Sequence, residues 1–228
     1  MQNAILPEPA SGEPGAAVDV AARIARVTVS RRGTDYTAEV RRLLDAALDV
    51  MARNPEAKAR VADIVAAAGL SNEAFYRYFR SKDALVAALL EDGAERLRTY
   101  LSHQMGKQST PESRIRCWVR GVLSQADPEI ASATLAVLRN SGGAGAGSAA
   151  GRHFASGPLA TLLTGPLRDL GSTDPDRDAA LSAHGVLGLL SDHLWQGTSP
   201  PKGEIEAVTA FVVRGVTGPA TPRRVQTR

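Results

Sequence analysis

The chain reads as an all-α protein, and three observations predict it. Apolar side chains recur at i, i+3, i+4 and i+7 along most of the segments that follow residue 36, the signature of helices buried on one face. The second half shows no sustained strand alternation, and its helical segments are divided by Pro and Gly, with proline at or near four of the starts. Residues 61–79 hold two short striped segments separated by Gly-Leu-Ser, which reads as two helices joined by a tight turn.

Composition bounds the rest. The 228 residues suffice for one large or two small domains, and 43% apolar with 22% charged residues is ordinary for a globular protein. The single cysteine, Cys117, excludes an intramolecular disulfide and a Cys-based zinc site. No apolar run approaches the ~20 residues of a membrane helix, and the N-terminus lacks the basic start and apolar core of a signal peptide. A cytoplasmic protein without a membrane partner is expected. Net charge is +3. Residues 31–82 hold ten Lys/Arg against seven Asp/Glu, whereas residues 83–216 hold twelve against fourteen. The last twelve residues add Arg223, Arg224 and Arg228. The basic excess therefore sits on the turn-linked pair of helices and the C-terminal tail, as a nucleic-acid footprint or as plain solvated surface.

Residues 1–34 are rich in Pro, Gly and Ala and are expected to form a flexible arm, with a short helical piece near Val18 to Val27. Arg31 and Arg32 lie just before the first helix, where such an arm either reaches the DNA minor groove or touches nothing. The first helix is predicted from Thr37, a possible cap, to Arg53, with Val40, Leu43, Leu44, Ala47, Leu48 and Met51 buried and Asn54-Pro55 as the stop. The second carries Val61, Ile64, Val65 and Ala68 on one face and ends at Gly69, with Leu70 at the corner. Ser71 caps the third, Asn72 to Phe79, which buries Phe75 and Phe79 and turns Asn72, Glu73, Tyr76, Arg77 and Tyr78 outward. A short helix with a polar, aromatic and cationic outer face suits the major groove. A fourth helix from Ser81 or Asp83 to Gln104 leads from this head to a body, with helices at 111–125, 128–140, 149–170, 175–196 and 201–216. Ser141 to Gly151, SGGAGAGSAAG, is a linker by composition; no strand precedes it and no Gly-Lys-Ser/Thr closes it, which excludes a phosphate loop.

The run VADIVAAAGLSNEAFYRYFRSKDAL, residues 61–85, together with Leu44-Asp45-Ala46-Ala47-Leu48 upstream, resembles the DNA-binding domain of the tetracycline-repressor (TetR) family of transcriptional regulators. The resemblance covers roughly residues 37–90. It implies a helix-turn-helix head at 35–82, a helical effector-binding and dimerisation body at 83–217 and a flexible tail at 218–228. It also implies that Tyr76, Tyr78 and Lys82 touch phosphates, contacts that set register and carry little sequence information. Where the family usually has a capping Thr or Ser, this chain has Arg60, which cannot cap a helix but can reach a phosphate. Base reading falls by chemistry to Asn72, Arg77 and Glu73, for adenine, guanine and cytosine respectively. For Glu73 the alternative is a charge near the positive helix end. Ser71 completes the predicted DNA-contacting set.

The family pattern further implies a two-fold dimer packed through the last two helices. Leu181, Gly185, Gly188 and Leu194 on one and Val208, Phe211 and Val212 on the other are the candidate interface, the alternative being an ordinary monomer core. A small-molecule effector pocket of lipophilic or acyl type is expected inside the body, with Trp118, Leu135, His153, Phe154, Leu162 and Leu189 as candidates, for each of which plain core is the favoured alternative. His153, His184 and His193 lack metal-ligand spacing, so neither a metal nor another cofactor is expected. No nucleophile elbow, paired-carboxylate motif or cofactor fingerprint is present, and an enzyme is not expected. The leading reading is a repressor released from palindromic double-stranded operator DNA by its effector. The alternatives are a dimeric DNA-binding regulator without an effector, and an activator.

Overall fold

The computed structural model describes residues 36–55, 57–140 and 149–217, and for residues 149–156 and Lys202 the backbone alone. Among these residues the chain is all-helical: α1 Tyr36–Arg53, α2 Val61–Ala68, α3 Asn72–Tyr78, α4 Lys82–Gly106, α5 Pro111–Leu123, α6 Pro128–Asn140, α7 Ala149–Asp169, α8 Pro175–Gln196 and α9 Lys202–Thr217. A 3-10 turn, Ser124–Ala126, joins α5 to α6. The predicted helix piece in residues 1–34 lies outside the described residues, as do residues 141–148 of the predicted linker. Residues 149–151, counted as the linker's end, are already helical in α7.

In the head, α1 buries Val40, Leu43, Leu44, Ala47 and Met51, the stripe its period requires. The helix begins one residue before Thr37, so Thr37 sits in its first turn. The three-residue corner between α2 and α3 depends on Gly69, whose φ of 63° and ψ of 36° lie in the left-handed region. There the Leu70 N–H reaches back to the Val65 carbonyl at 2.9 Å, closing the end of α2. Ser71 then starts α3, its hydroxyl accepting from the Ala74 N–H at 3.1 Å. Phe75 is fully buried, and the Phe79 ring lies 5.7 Å from it. Phe79 was expected inside the helix; its φ of −126° and ψ of 120° are extended. The chain must leave the helix there, because α4 begins three residues later under the Ser81 cap.

The head core does not stop where the third helix ends. Leu85, Val86, Ala88 and Leu89 of α4 join it, and so do Ala136 and Val137 from the end of α6. Farther along α4, Leu97, Leu101 and Met105 enter a second core with Ile115, Trp118 and Val119 of α5, Leu159, Leu163 and Leu167 of α7, and Ala179, Ala183 and Val186 of α8. One long helix thus threads both cores, as its apolar spacing implies. Gly121 of α5 lets the two helices meet: a Cβ built there would fall 2.3 Å from Leu101 Cδ2. At the start of α5, Thr110 and Ser113 form a reciprocal capping box. Pro158 and Pro166 lie inside α7 without ending it.

Candidate nucleic-acid interface

The outer face of α3 exposes Asn72, Glu73, Tyr76 and Arg77, and Ser71 and Arg60 are exposed beside them. The reason is the opposite face. Phe75 and Phe79 anchor the segment in the head core, and a helical repeat then turns its neighbours outward. Tyr76, 59% exposed, stands edge-on to Phe75 with ring centroids 5.2 Å apart, so its hydroxyl end projects from a fixed ring. Glu73 lies in the first turn of α3, where a negative charge suits the helix dipole. Arg60 provides no side-chain cap; its carbonyl instead accepts from the N–H groups of Asp63 and Ile64. Arg31 and Arg32 lie outside the described residues.

Two predicted phosphate contacts are already engaged within the protein. Tyr78 is half-buried, and its hydroxyl donates to Glu39 Oε2 at 2.7 Å, while its ring packs edge-on against Tyr36 at 6.0 Å. Burial pushes this hydroxyl up to about 12, and the bond to Glu39 adds to the shift. Lys82 is half-buried, with Nζ donating to the Ala59 carbonyl at 3.2 Å and to Asn140 Oδ1 at 3.4 Å. An ammonium has three N–H donors, so one direction is left for a phosphate.

Several participants have no sequence signal. Asn140, 1% exposed at the end of α6, takes the Ala59 N–H at 2.7 Å on the oxygen that faces Lys82. Its own amide donates to Ala136. Asp92 on α4 holds Arg41 of α1 through both carboxylate oxygens at 3.0 Å and Arg96 at 2.8 Å. Burial raises the nearby Asp45 carboxyl above its ordinary range, with Arg41 and Arg96 opposing. Asp92 with Arg41 and Asn140 with Ala59 and Lys82 are dozens of residues apart in the chain, and no local pattern encodes those pairs.

In the body, Trp118 is fully buried and its Nε1 donates to the Leu159 carbonyl at 3.0 Å. This is a satisfied core tryptophan, so its indole offers no free donor to an effector. Leu135, Leu162 and Leu189 are half-buried against the same core, and the side chains of His153 and Phe154 lie outside the description. Among the predicted interface residues, Leu181 and Phe211 are 65% and 73% exposed, and Gly185 and Gly188 are also exposed. Val208 is half-buried. Leu194 and Val212, expected at the interface, are instead buried in the core within this chain and lie off the exposed stripe. Trp195, 52% exposed, stands on that stripe instead and was missed. Among the described residues no cluster of His, Cys, Asp or Glu could hold a metal ion. No described helix is long and apolar enough to cross a membrane.

Residues 43–89 match the family of bacterial regulatory proteins, tetR family. None of the curated proteins matches the chain. Among solved structures, a protein assigned to the TetR-family transcriptional regulators, from Mesorhizobium loti, shares 16% identity with a TM-score of 0.58 over 80% of this chain and 96% of its own. RolR, solved with resorcinol, shares 18% with a TM-score of 0.59 over 78% and 87%. FadR from Bacillus subtilis, solved with stearoyl-CoA, shares 18% with a TM-score of 0.50 over 79% and 99%. At these identities the likeness is one of fold, and it extends through head and body alike. Residues 43–89 thus carry the match to the bacterial regulatory proteins of the tetR family, and the fold around them is the one shared with the solved TetR-family transcriptional regulators.

Proposed function

We propose that the chain is a dimeric repressor that reads a palindromic operator and leaves it when a small molecule binds in the body. The observation that carries the reading is the outer face of α3, where Asn72, Tyr76 and Arg77 are exposed on a helix anchored by Phe75 and Phe79. Asn72 and Arg77 supply base-edge chemistry and Tyr76 a phosphate donor, with Ser71, Arg60 and the third N–H of Lys82 flanking them. The second copy packs through the exposed stripe of Leu181, Gly185, Gly188, Trp195 and Phe211. Two such heads about 34–36 Å apart engage successive major grooves.

The effector belongs to the apolar or acyl class. RolR was solved with resorcinol and FadR with stearoyl-CoA, and the body here shares their fold. To empty an operator that is nearly full, the effector must favour the released conformation by roughly 10⁴-fold. The filled environment of Trp118 favours a second reading, in which the body only dimerises. Footprinting on DNA upstream of the gene, followed by a screen of aromatic and acyl-thioester compounds for release, tests both. Release by no compound leaves the second reading; failure to protect any duplex ends the first as well.

A further inference from the structure

Glu39 lies in the first turn of α1, outside every motif that carries the resemblance, yet it faces the reading helix. Its Oε2 accepts the Tyr78 hydroxyl at 2.7 Å and stands 3.7 Å from Arg77 Nη1. The carboxylate is largely enclosed, its side chain 16% exposed, while that of Arg77 is 42% exposed. Tyr78 is therefore held on three sides: Tyr36 at its edge, Glu39 at its hydroxyl, and the Arg77 guanidinium 5.9 Å from its ring centroid. The hydroxyl proton that could reach a phosphate is committed to a carboxylate. Part of the charge that could bind any phosphate is likewise balanced within the protein.

Resting on the reading of α3 as the DNA-contacting helix, we propose that Glu39 is a specificity-setting residue: an internal stand-in for phosphate that orients Arg77 toward base edges and limits its use on the backbone. The physical basis is competition between anions. Phosphate contacts give affinity to every sequence alike, whereas a planar guanidinium held at a base edge discriminates. A fixed carboxylate beside the arginine weakens the first use by neutralising charge. It favours the second by restricting the orientation of the fork.

Glu39→Gln keeps an acceptor for Tyr78 but removes the charge. The duplex that the wild-type chain enriches from a random pool serves as operator, and a scrambled duplex as competitor. Binding to both is measured across a salt series. For Glu39→Gln the scrambled duplex binds about threefold to tenfold tighter at low salt, and the slope of log K against log salt steepens by about one unit. The ratio of operator to scrambled affinity falls about tenfold. In an Arg77→Gln background Glu39→Gln changes neither slope nor ratio. An unchanged slope and ratio in Glu39→Gln overturns the role of Glu39 while leaving the DNA-reading helix in place. A shift that persists without Arg77 also overturns it, since packing would then be the cause. A wild-type chain that enriches no duplex removes the underlying reading together with the proposal.

Discussion

Lys82 and Tyr78 belong to the motif that suggests phosphate contacts, yet each side chain has an internal partner, and this changes what substitution should do. Lys82 links the Ala59 carbonyl and Asn140 to the start of α4. Lys82→Ala should weaken binding to all duplexes alike and reduce the salt slope by about one unit. It should also lower head stability by about 1–2 kcal/mol, because the Ala59 carbonyl and Asn140 lose a charged donor. A full loss of stability with an unchanged slope would assign Lys82 to structure alone. For Tyr78 the relevant variable is alkaline pH. Its folded-state hydroxyl is raised from 10.0 to about 12, so the protonated form favours the folded state. That contribution is complete below about pH 10 and is lost as pH rises through about 12. The difference in thermal midpoint between wild type and Tyr78→Phe should therefore shrink across this window; a constant difference contradicts the Glu39 bond.

At the scale of elements, α4 is the member on which the others depend. It carries Leu85 and Leu89 into the head core and Leu97 and Leu101 into the body core, and it meets α5 at Gly121. Gly121→Ala gains about 1 kcal/mol of helix propensity. The added methyl would press on the fully buried Leu101 and cost about 1–3 kcal/mol. A net loss of about 1 kcal/mol in denaturant unfolding is expected, and a variant as stable as wild type would mean that Leu101 rotates aside freely. The end of α6 provides the second tie between head and body. Ala136 and Val137 pack in the head core, and Asn140 bonds to Ala59 and Lys82. Any displacement of α6 would thus be felt at the base of α4, four residues after the end of α3.

Among the described residues, α8 and α9 carry an apolar stripe that stands exposed. Leu181, Trp195 and Phe211 are each more than half exposed, with Gly185 and Gly188 between the first two on α8. Replacing Leu181 and Phe211 together by Glu should leave the helical signal and the midpoint of unfolding near wild type. It should also convert the sedimenting species from dimer to monomer. Operator affinity should then fall by about 10²-fold or more, since two linked heads lose their effective concentration. A double variant that still sediments as a dimer would place the interface elsewhere.

Helix identity and order were legible in residue patterning, because period, caps and breakers are local. Gly69 at the corner, Ser71 as cap, and the limits of 128–140 and 175–196 stand where spacing put them. The outward set Asn72, Glu73, Tyr76 and Arg77 was equally readable, since Phe75 and Phe79 dictate which way their neighbours face. What period could not supply is which of two apolar faces meets its own protomer. Leu194 and Trp195 are adjacent in sequence, and only packing turned the first inward and left the second in solvent. Nor could it supply the partners of polar groups. Glu39 with Tyr78, Asp92 with Arg41, and Asn140 with Ala59 are joined across the fold. Local chemistry determined the helices and the outward face of α3; the assembled cores decided which charges and hydroxyls are already spent, because only burial brings distant groups within bonding distance.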